Sequence, residues 1–267
     1  MHELTSKTVS TLGGRLDIKV NIAGKGEPLV YLHSAGGFYW DDFLDSLAND
    51  YTVYAPYFPG TEPGVPDPID QLDDLWDAVL AYDDMLDGLG LDSTKLIGHS
   101  FGGLMASELA AQRRQGIDKL VLIAPIGLYR DDHPYTCANW CSLSFDQIMD
   151  TLFYDRETPR VKQRMTAPED AQAEALWTRD FVWTLGCTGK LIWPIPDKGL
   201  NKRIHRITAP SLVVWGEDDA LIPPAYAEEF RQAIPNSEEV FWLSKCGHEP
   251  PLEQTESLHE RVMQFFQ

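Results

Sequence analysis

A serine lies between two glycines in the run Gly98-His99-Ser100-Phe101-Gly102. The apolar residues Leu96 and Ile97 before this run are typical of a short buried strand, and those in 104–110 have helical spacing. A serine on such a sharp strand-to-helix turn is exposed above the sheet edge, beside the free N–H groups of the helix start. The pattern predicts that Ser100 is a nucleophile, although a glycine-flanked turn without any chemistry is the alternative.

Apolar runs of strand length alternate with helical stripes before and after this turn. Lys7–Leu12 and Arg15–Ala23 flank two glycines and predict a hairpin, while Ile69–Leu89 carries an apolar stripe with an acidic outer face. This alternation predicts an α/β fold, namely a mostly parallel, doubly wound sheet with flanking helices.

The alternation stops in the middle of the chain and resumes near its end. Residues 127–205 contain helical segments rich in aromatic side chains, but no strand pattern. We therefore expect an inserted helical cap at 127–205, between a first core segment, 1–126, and a second, 206–267.

Composition limits the partners that such a chain can have. The formal net charge is −19, whereas nucleic acids and anionic membranes bind basic surfaces, so we expect neither as a partner. The sequence shows no signal peptide and no apolar run long enough to cross a bilayer. Four scattered cysteines, including the pair Cys137 and Cys141, predict neither a disulfide framework nor a zinc site. We expect a cytoplasmic protein; its oligomeric state is not predicted.

A serine hydroxyl needs a base to take its proton, and the base needs a carboxylate on its other nitrogen. Of seven histidines, His248 follows the last predicted strand directly, where a parallel sheet places its ligand crevice. The acids Glu217, Asp218 and Asp219 follow the strand that ends at Trp215. The chain order serine, aspartate, histidine thus predicts a triad of Ser100, His248 and either Asp218 or Asp219.

These motifs together resemble the α/β-hydrolase superfamily, in the subgroup with a helical cap after the sixth strand. The resemblance covers nearly the whole chain and depends on 98–103, 215–223 and 247–250. In that family the acid usually lies three residues after a glycine and four before a proline, which implies Asp219. The resemblance implies acyl transfer on a small molecule, with no cofactor and no metal.

The same resemblance implies an oxyanion hole made by the backbone N–H groups of Phe101 and Ala35. The family usually has His-Gly where this chain has His33-Ser34, so the conformation of that loop is open, and the Ser34 hydroxyl is a possible extra donor. Ser34, His99 and Trp183 are the candidate substrate contacts.

Three functions remain open at this stage. The first is hydrolysis of a carboxylic ester or lactone with an apolar or aromatic group, through an acyl-enzyme on Ser100. The second is carbon–carbon bond hydrolysis of the ring-cleavage type, ranked lower because the loop Ser34-Ala35-Gly36-Gly37 lacks the usual longer glycine- and proline-bearing form. The third is a slow-turnover protein that senses its ligand through cap movement.

Overall fold

The computed structural model describes residues 2–135, 142–194 and 196–267. Within these ranges, eight strands form one sheet in the order β1-β2-β4-β3-β5-β6-β7-β8. The strands, β1 to β8, are Thr5–Thr11, Leu16–Gly24, Glu27–Leu32, Tyr51–Pro56, Thr94–His99, Ile117–Ile123, Ser211–Gly216 and Phe241–Leu243. β2 pairs antiparallel with β1 and β4, and the other pairs are parallel. The expected α/β fold and the N-terminal hairpin are confirmed.

Nine α-helices lie in the described ranges and cover both faces of the sheet, which separates two apolar clusters. The helices, α1 to α9, are Asp42–Leu47, Leu75–Leu89, Phe101–Gln112, Phe145–Leu152, Pro159–Met165, Ala171–Ile192, Ala225–Ala233, Pro250–Glu253 and Thr255–Phe266. No helix in these ranges combines the length and apolar character that a bilayer crossing requires.

The helix predicted for 69–89 begins later than the apolar stripe suggests. Residues 67–71 form a short 3₁₀ turn, and α2 starts at Leu75. The Asp74 carboxylate accepts the N–H groups of Trp76 (2.8 Å) and Asp77 (3.1 Å), which caps the helix at this residue. The Asp74 cap therefore determines where α2 begins, although the hydrophobic pattern continues upstream of it.

Helices α4, α5 and α6 lie between β6 and β7 in the chain, within the segment predicted to be a cap. The division into core and cap remains a prediction, and Cys137 and Cys141 fall outside the described residues.

A buried ion pair joins α3 to the segment that follows this insertion. Glu108 is 1% exposed, and its two carboxylate oxygens accept from Nε (2.7 Å) and Nη2 (2.6 Å) of Arg203. Two parallel bonds to one guanidinium hold the helix that carries Ser100 against residues 200–206.

We expect Arg203→Met to lower the free energy of unfolding by about 2–3 kcal/mol, because it leaves the Glu108 carboxylate buried without its partner. Urea denaturation measures this change. Arg231→Met is the matched control, since Arg231 pairs with Glu228 at the surface (2.8 Å), and such pairs contribute below about 1 kcal/mol. Equal losses in the two variants would contradict a structural role for the buried pair.

Candidate active site

The turn between β5 and α3 has the strained backbone that the Gly-x-Ser-x-Gly pattern predicts. Ser100 has φ 54° and ψ −113°, a conformation that L-residues rarely adopt. A Cβ on Gly98 would lie 2.4 Å from the Gly102 carbonyl oxygen, and one on Gly102 would lie 2.0 Å from that of Leu32. Only glycine fits at these two positions, so packing of the turn against its neighbours holds the serine in place.

The structure brings Ser100, His248 and Asp219 together. Ser100 Oγ lies 2.8 Å from Nε2 of His248, and Nδ1 of the same ring lies 2.8 Å from Oδ2 of Asp219. The other carboxylate oxygen of Asp219 accepts the N–H groups of Leu221 and Ile222, both at 2.9 Å. Asp218 is exposed, and the open choice between the two aspartates therefore falls geometrically on Asp219.

The electrostatic setting of His248 suits a general base. Burial by itself lowers the pKa of this imidazole, but the Asp219 carboxylate raises it by more, and the net pKa lies above its ordinary value. The imidazolium that forms when Ser100 gives up its proton is therefore stabilised.

The main chain of His248 is held from two directions. Its N–H donates to the carbonyl oxygen of Leu152 at the end of α4 (2.7 Å), and its own carbonyl oxygen lies 2.9 Å from Nε2 of His99. Because a carbonyl only accepts, the His99 proton is on Nε2. Burial lowers the pKa of His99 to about 3, so the ring is neutral at pH 7. The residue before the nucleophile thus fixes the loop that carries the base.

Two N–H groups next to Ser100 can receive an oxyanion. In the described part of the chain, no hydrogen bond occupies the backbone N–H of Ala35 or of Phe101. The loop that holds Ala35 is fixed by His33, whose ring bonds to the Ser34 carbonyl oxygen (2.7 Å) and accepts the Phe58 N–H (3.0 Å). The predicted oxyanion hole remains a prediction, and the available donors are consistent with it.

Three adjoining cavities lie at or near Ser100, which lines the central and the apolar cavity but not the polar one. The polar cavity has Ser34, Tyr39, Asp41, His99, Arg164 and Glu249 in its wall. The central cavity has Ser34, Ala35, Ser100, Phe181, His248 and Glu249. The apolar cavity includes Ser100 together with Ile126, Ile192, Trp193, Leu221 and Ile222. Ser100 therefore lies between a charged region and an apolar one.

Of the candidate substrate contacts, the structure brings Ser34 and His99 to these cavities but not Trp183. Trp183 is 46% exposed, and its Nε1 donates to the Gly60 carbonyl oxygen (2.9 Å). The indole fastens α6 to a loop of the sheet domain and faces away from the nucleophile.

Three charged residues of the polar cavity, Asp41, Arg164 and Glu249, escaped the sequence analysis. Arg164 is on α5, a helix without a strong apolar stripe, and Nη2 of this residue donates to the Gly36 carbonyl oxygen (3.2 Å). Glu249 directly follows His248 in the sequence, and this position next to the predicted base could have marked it as a candidate site residue. Among the described residues, no three His, Cys, Asp or Glu side chains are grouped as metal ligands.

Comparison with known proteins places the chain in a family. The profile of the alpha/beta hydrolase family matches residues 29–261, so the chain belongs to that family. It is 30% identical to a 2-hydroxy-6-oxononadienedioate/2-hydroxy-6-oxononatrienedioate hydrolase of Paraburkholderia phymatum, covering 98% of this chain and 95% of the relative. It is 25% identical to a 2-hydroxy-6-oxo-6-phenylhexa-2,4-dienoate hydrolase of Burkholderia cepacia (93% and 90%). A solved meta-cleavage product hydrolase of Pseudomonas fluorescens has the same fold, with TM-score 0.76, 18% identity and 97% coverage of both chains.

We expect Asp219→Asn to lower kcat for a nitrophenyl acetate by roughly 10³–10⁴-fold, because the amide holds the wrong tautomer of His248. Asp218→Asn makes the same charge change one residue away, in an exposed side chain, and should stay within about threefold of the wild type. Steady-state hydrolysis and the rate of labelling by a fluorophosphonate measure both variants. A large loss in Asp218→Asn alone would reassign the acid.

Proposed function

We propose that this alpha/beta hydrolase cleaves the carbon–carbon bond between C5 and C6 of a 2-hydroxy-6-oxo-dienoate that carries an apolar group on C6. The observation that carries the proposal is the position of Ser100 between the polar and apolar cavities. Hydrolases named for substrates of this class are among its relatives. They favour carbon–carbon cleavage over the ester hydrolysis that the sequence ranks first.

The polar cavity suits the carboxylate end of such a molecule. One of the five N–H donors of Arg164 binds the Gly36 carbonyl oxygen, and the guanidinium lies 5.1 Å from the centre of the Tyr39 ring. A guanidinium can bind a carboxylate with two parallel hydrogen bonds. Arg164 is therefore our candidate for the residue that binds C1 of the substrate.

The apolar cavity suits the group attached to the C6 carbonyl. Among the residues that the structure describes, its wall, which includes Ile126, Ile192, Trp193, Leu221 and Ile222, offers no charged side chain to a second carboxylate. A phenyl or alkyl group on C6 is accordingly a better match than the dicarboxylate for which the Paraburkholderia relative is named.

The reaction follows from this orientation. Ser100 Oγ attacks C6 as His248 takes its proton, and the N–H groups of Ala35 and Phe101 bind the oxyanion. In the 2-keto tautomer of the substrate, the electron pair of the broken C5–C6 bond passes through the conjugated chain to the oxygen on C2. The imidazolium gives up the proton that it took from Ser100, and protonation of that oxygen yields a 2-hydroxydienoate and leaves His248 neutral. Water, activated by His248, then releases the C6 acyl group from Ser100 as a carboxylic acid.

Ester hydrolysis by the same three residues is the second candidate. The short loop Ser34-Ala35-Gly36-Gly37, which differs from the form usual in ring-cleavage hydrolases, favours it. Comparing kcat/KM for 2-hydroxy-6-oxo-6-phenylhexa-2,4-dienoate with a series of nitrophenyl esters decides between the two. We expect the dienoate to be preferred by at least roughly 100-fold, and Ser100→Ala to abolish both activities. Efficient ester turnover without dienoate cleavage would reverse the ranking.

Arg164→Met should raise KM for the dienoate by roughly 100-fold, because a bidentate ionic contact contributes about 2–3 kcal/mol. Hydrolysis of a nitrophenyl acetate, which has no carboxylate, should stay within about threefold. Arg160→Met is the matched control, since Arg160 lies on the same helix but pairs with Asp42 and Glu256 at the surface. Equal losses for both substrates in Arg164→Met would show that the arginine only supports the loop.

A further inference from the structure

The polar cavity contains more negative than positive charge. Asp41 and Glu249 lie in its wall together with a single guanidinium, that of Arg164. When both acids are ionised, these three residues carry a net charge of −1 before any ligand enters. A bound carboxylate brings the total to −2 in a space largely closed to water, where like charges repel strongly.

The contacts of Glu249 do not all favour the same protonation state. Its Oε2 lies 3.8 Å from Nδ1 of His99, and the His99 proton is on Nε2, where it faces the His248 carbonyl oxygen. Nδ1 of the neutral ring therefore has no proton to give to Glu249, so His99 does not stabilise the carboxylate. A hydrogen bond from the Ser34 side chain favours the charged form, and burial of the carboxyl group outweighs it.

Charged and titratable groups face Glu249 from every element packed against it. They are Tyr31 on β3, His99 at the end of β5, Asp41 just before α1, Arg164 on α5, Asp219 after β7, and His248 and Glu253 on its own side. Burial raises the pKa of Glu249 to about 7, while His248 and Arg164 act in the opposite direction. The pKa of Asp41 is likewise raised by burial to about 7, although its carboxylate accepts the Leu44 N–H (2.8 Å) as the cap of α1.

We propose that Glu249 determines specificity by binding a proton whenever Arg164 binds a substrate carboxylate. The inference depends on the proposed function, because it takes Arg164 as the group that holds C1. Of the two acids, Glu249 is the one placed to take up a proton when a carboxylate binds. It lies in both the polar and the central cavity, and its side chain caps no helix although it is the N-cap residue of α8, whereas the Asp41 carboxylate caps α1.

The consequence is a pH dependence that applies to carboxylate ligands alone. Below pH 7 Glu249 already carries the proton, so the carboxylate binds without the uptake of a proton from solution. Above pH 7 the proton must be taken from solution, so the Kd of a carboxylate rises by roughly tenfold for each pH unit. A neutral ligand adds no charge to the cavity, and its Kd stays constant.

Binding of 6-oxo-6-phenylhexanoate and of its methyl ester to Ser100→Ala tests this directly. Neither probe ionises between pH 6 and 9, and the variant hydrolyses neither. We expect the Kd of the carboxylate to rise roughly 100-fold from pH 6 to pH 9, as one-proton linkage requires, and that of the ester to vary by less than about threefold. The double variant Ser100→Ala/Glu249→Gln should bind the carboxylate with no pH dependence.

Ser100→Ala/Asp41→Asn is the matched control, because asparagine still caps α1 and removes the same charge from the same cavity. It should bind the carboxylate more tightly above pH 7, where Asp41 is ionised, and keep the slope. A slope that persists in Glu249→Gln, or that disappears in Asp41→Asn, overturns the assignment to Glu249. If Ser100→Ala prefers the carboxylate but the Kd of the carboxylate does not change with pH, only this inference is overturned. Equal affinity for carboxylate and ester at all pH values also overturns the role of Arg164.

Discussion

The contact between the nucleophile turn and strand β3 is the constraint on which the rest of the site depends. The backbone of Gly102 packs so closely against the Leu32 carbonyl that no side chain fits between them. Strained backbone at Ser100 costs about 1–3 kcal/mol and persists only because its surroundings are tightly packed. The same contact brings the loop that follows β3, with Ala35, next to the first N–H of α3. One close approach therefore positions both the nucleophile and the donors for its oxyanion.

The charge of the whole chain and that of Arg164 act in opposite directions on an anion. A net charge of −19 repels an anionic substrate at long range, although physiological salt screens this field beyond about 8 Å. Arg164 acts within that distance, in a cavity from which water is largely excluded. Binding of an acid therefore depends on a few groups in the wall of the cavity, and the overall composition of the chain says little about it.

Sequence motifs predicted much of this arrangement because they are local. Glycine spacing around Ser100 and the position of His248 after the last strand each report a backbone geometry that nearby residues determine. The choice between Asp218 and Asp219 needed the family resemblance, and the structure places the second beside the imidazole. Trp183 lines none of the three cavities. An aromatic residue on a helix indicates burial or contact without specifying the partner.

Arg164 could not be found from the sequence for a related reason. Its helix, α5, is seven residues long, and the side chain becomes significant only once the tertiary fold sets it beside Gly36 and Tyr39. An arginine in a polar stretch is most simply a surface residue. Arg164 can be recognised only from its position in the wall of a cavity. Segments that are distant in the sequence form that cavity together.

The hydrogen bond from the His248 N–H to the Leu152 carbonyl ties the catalytic loop to the inserted helices. Any movement that swings α4 outward must break this bond and release one of the two anchors on the histidine backbone. Among the residues that the structure describes, the backbone of His248 would then be anchored by His99 alone. The position of α4 and the alignment of the imidazole with Ser100 are therefore coupled through one main-chain hydrogen bond.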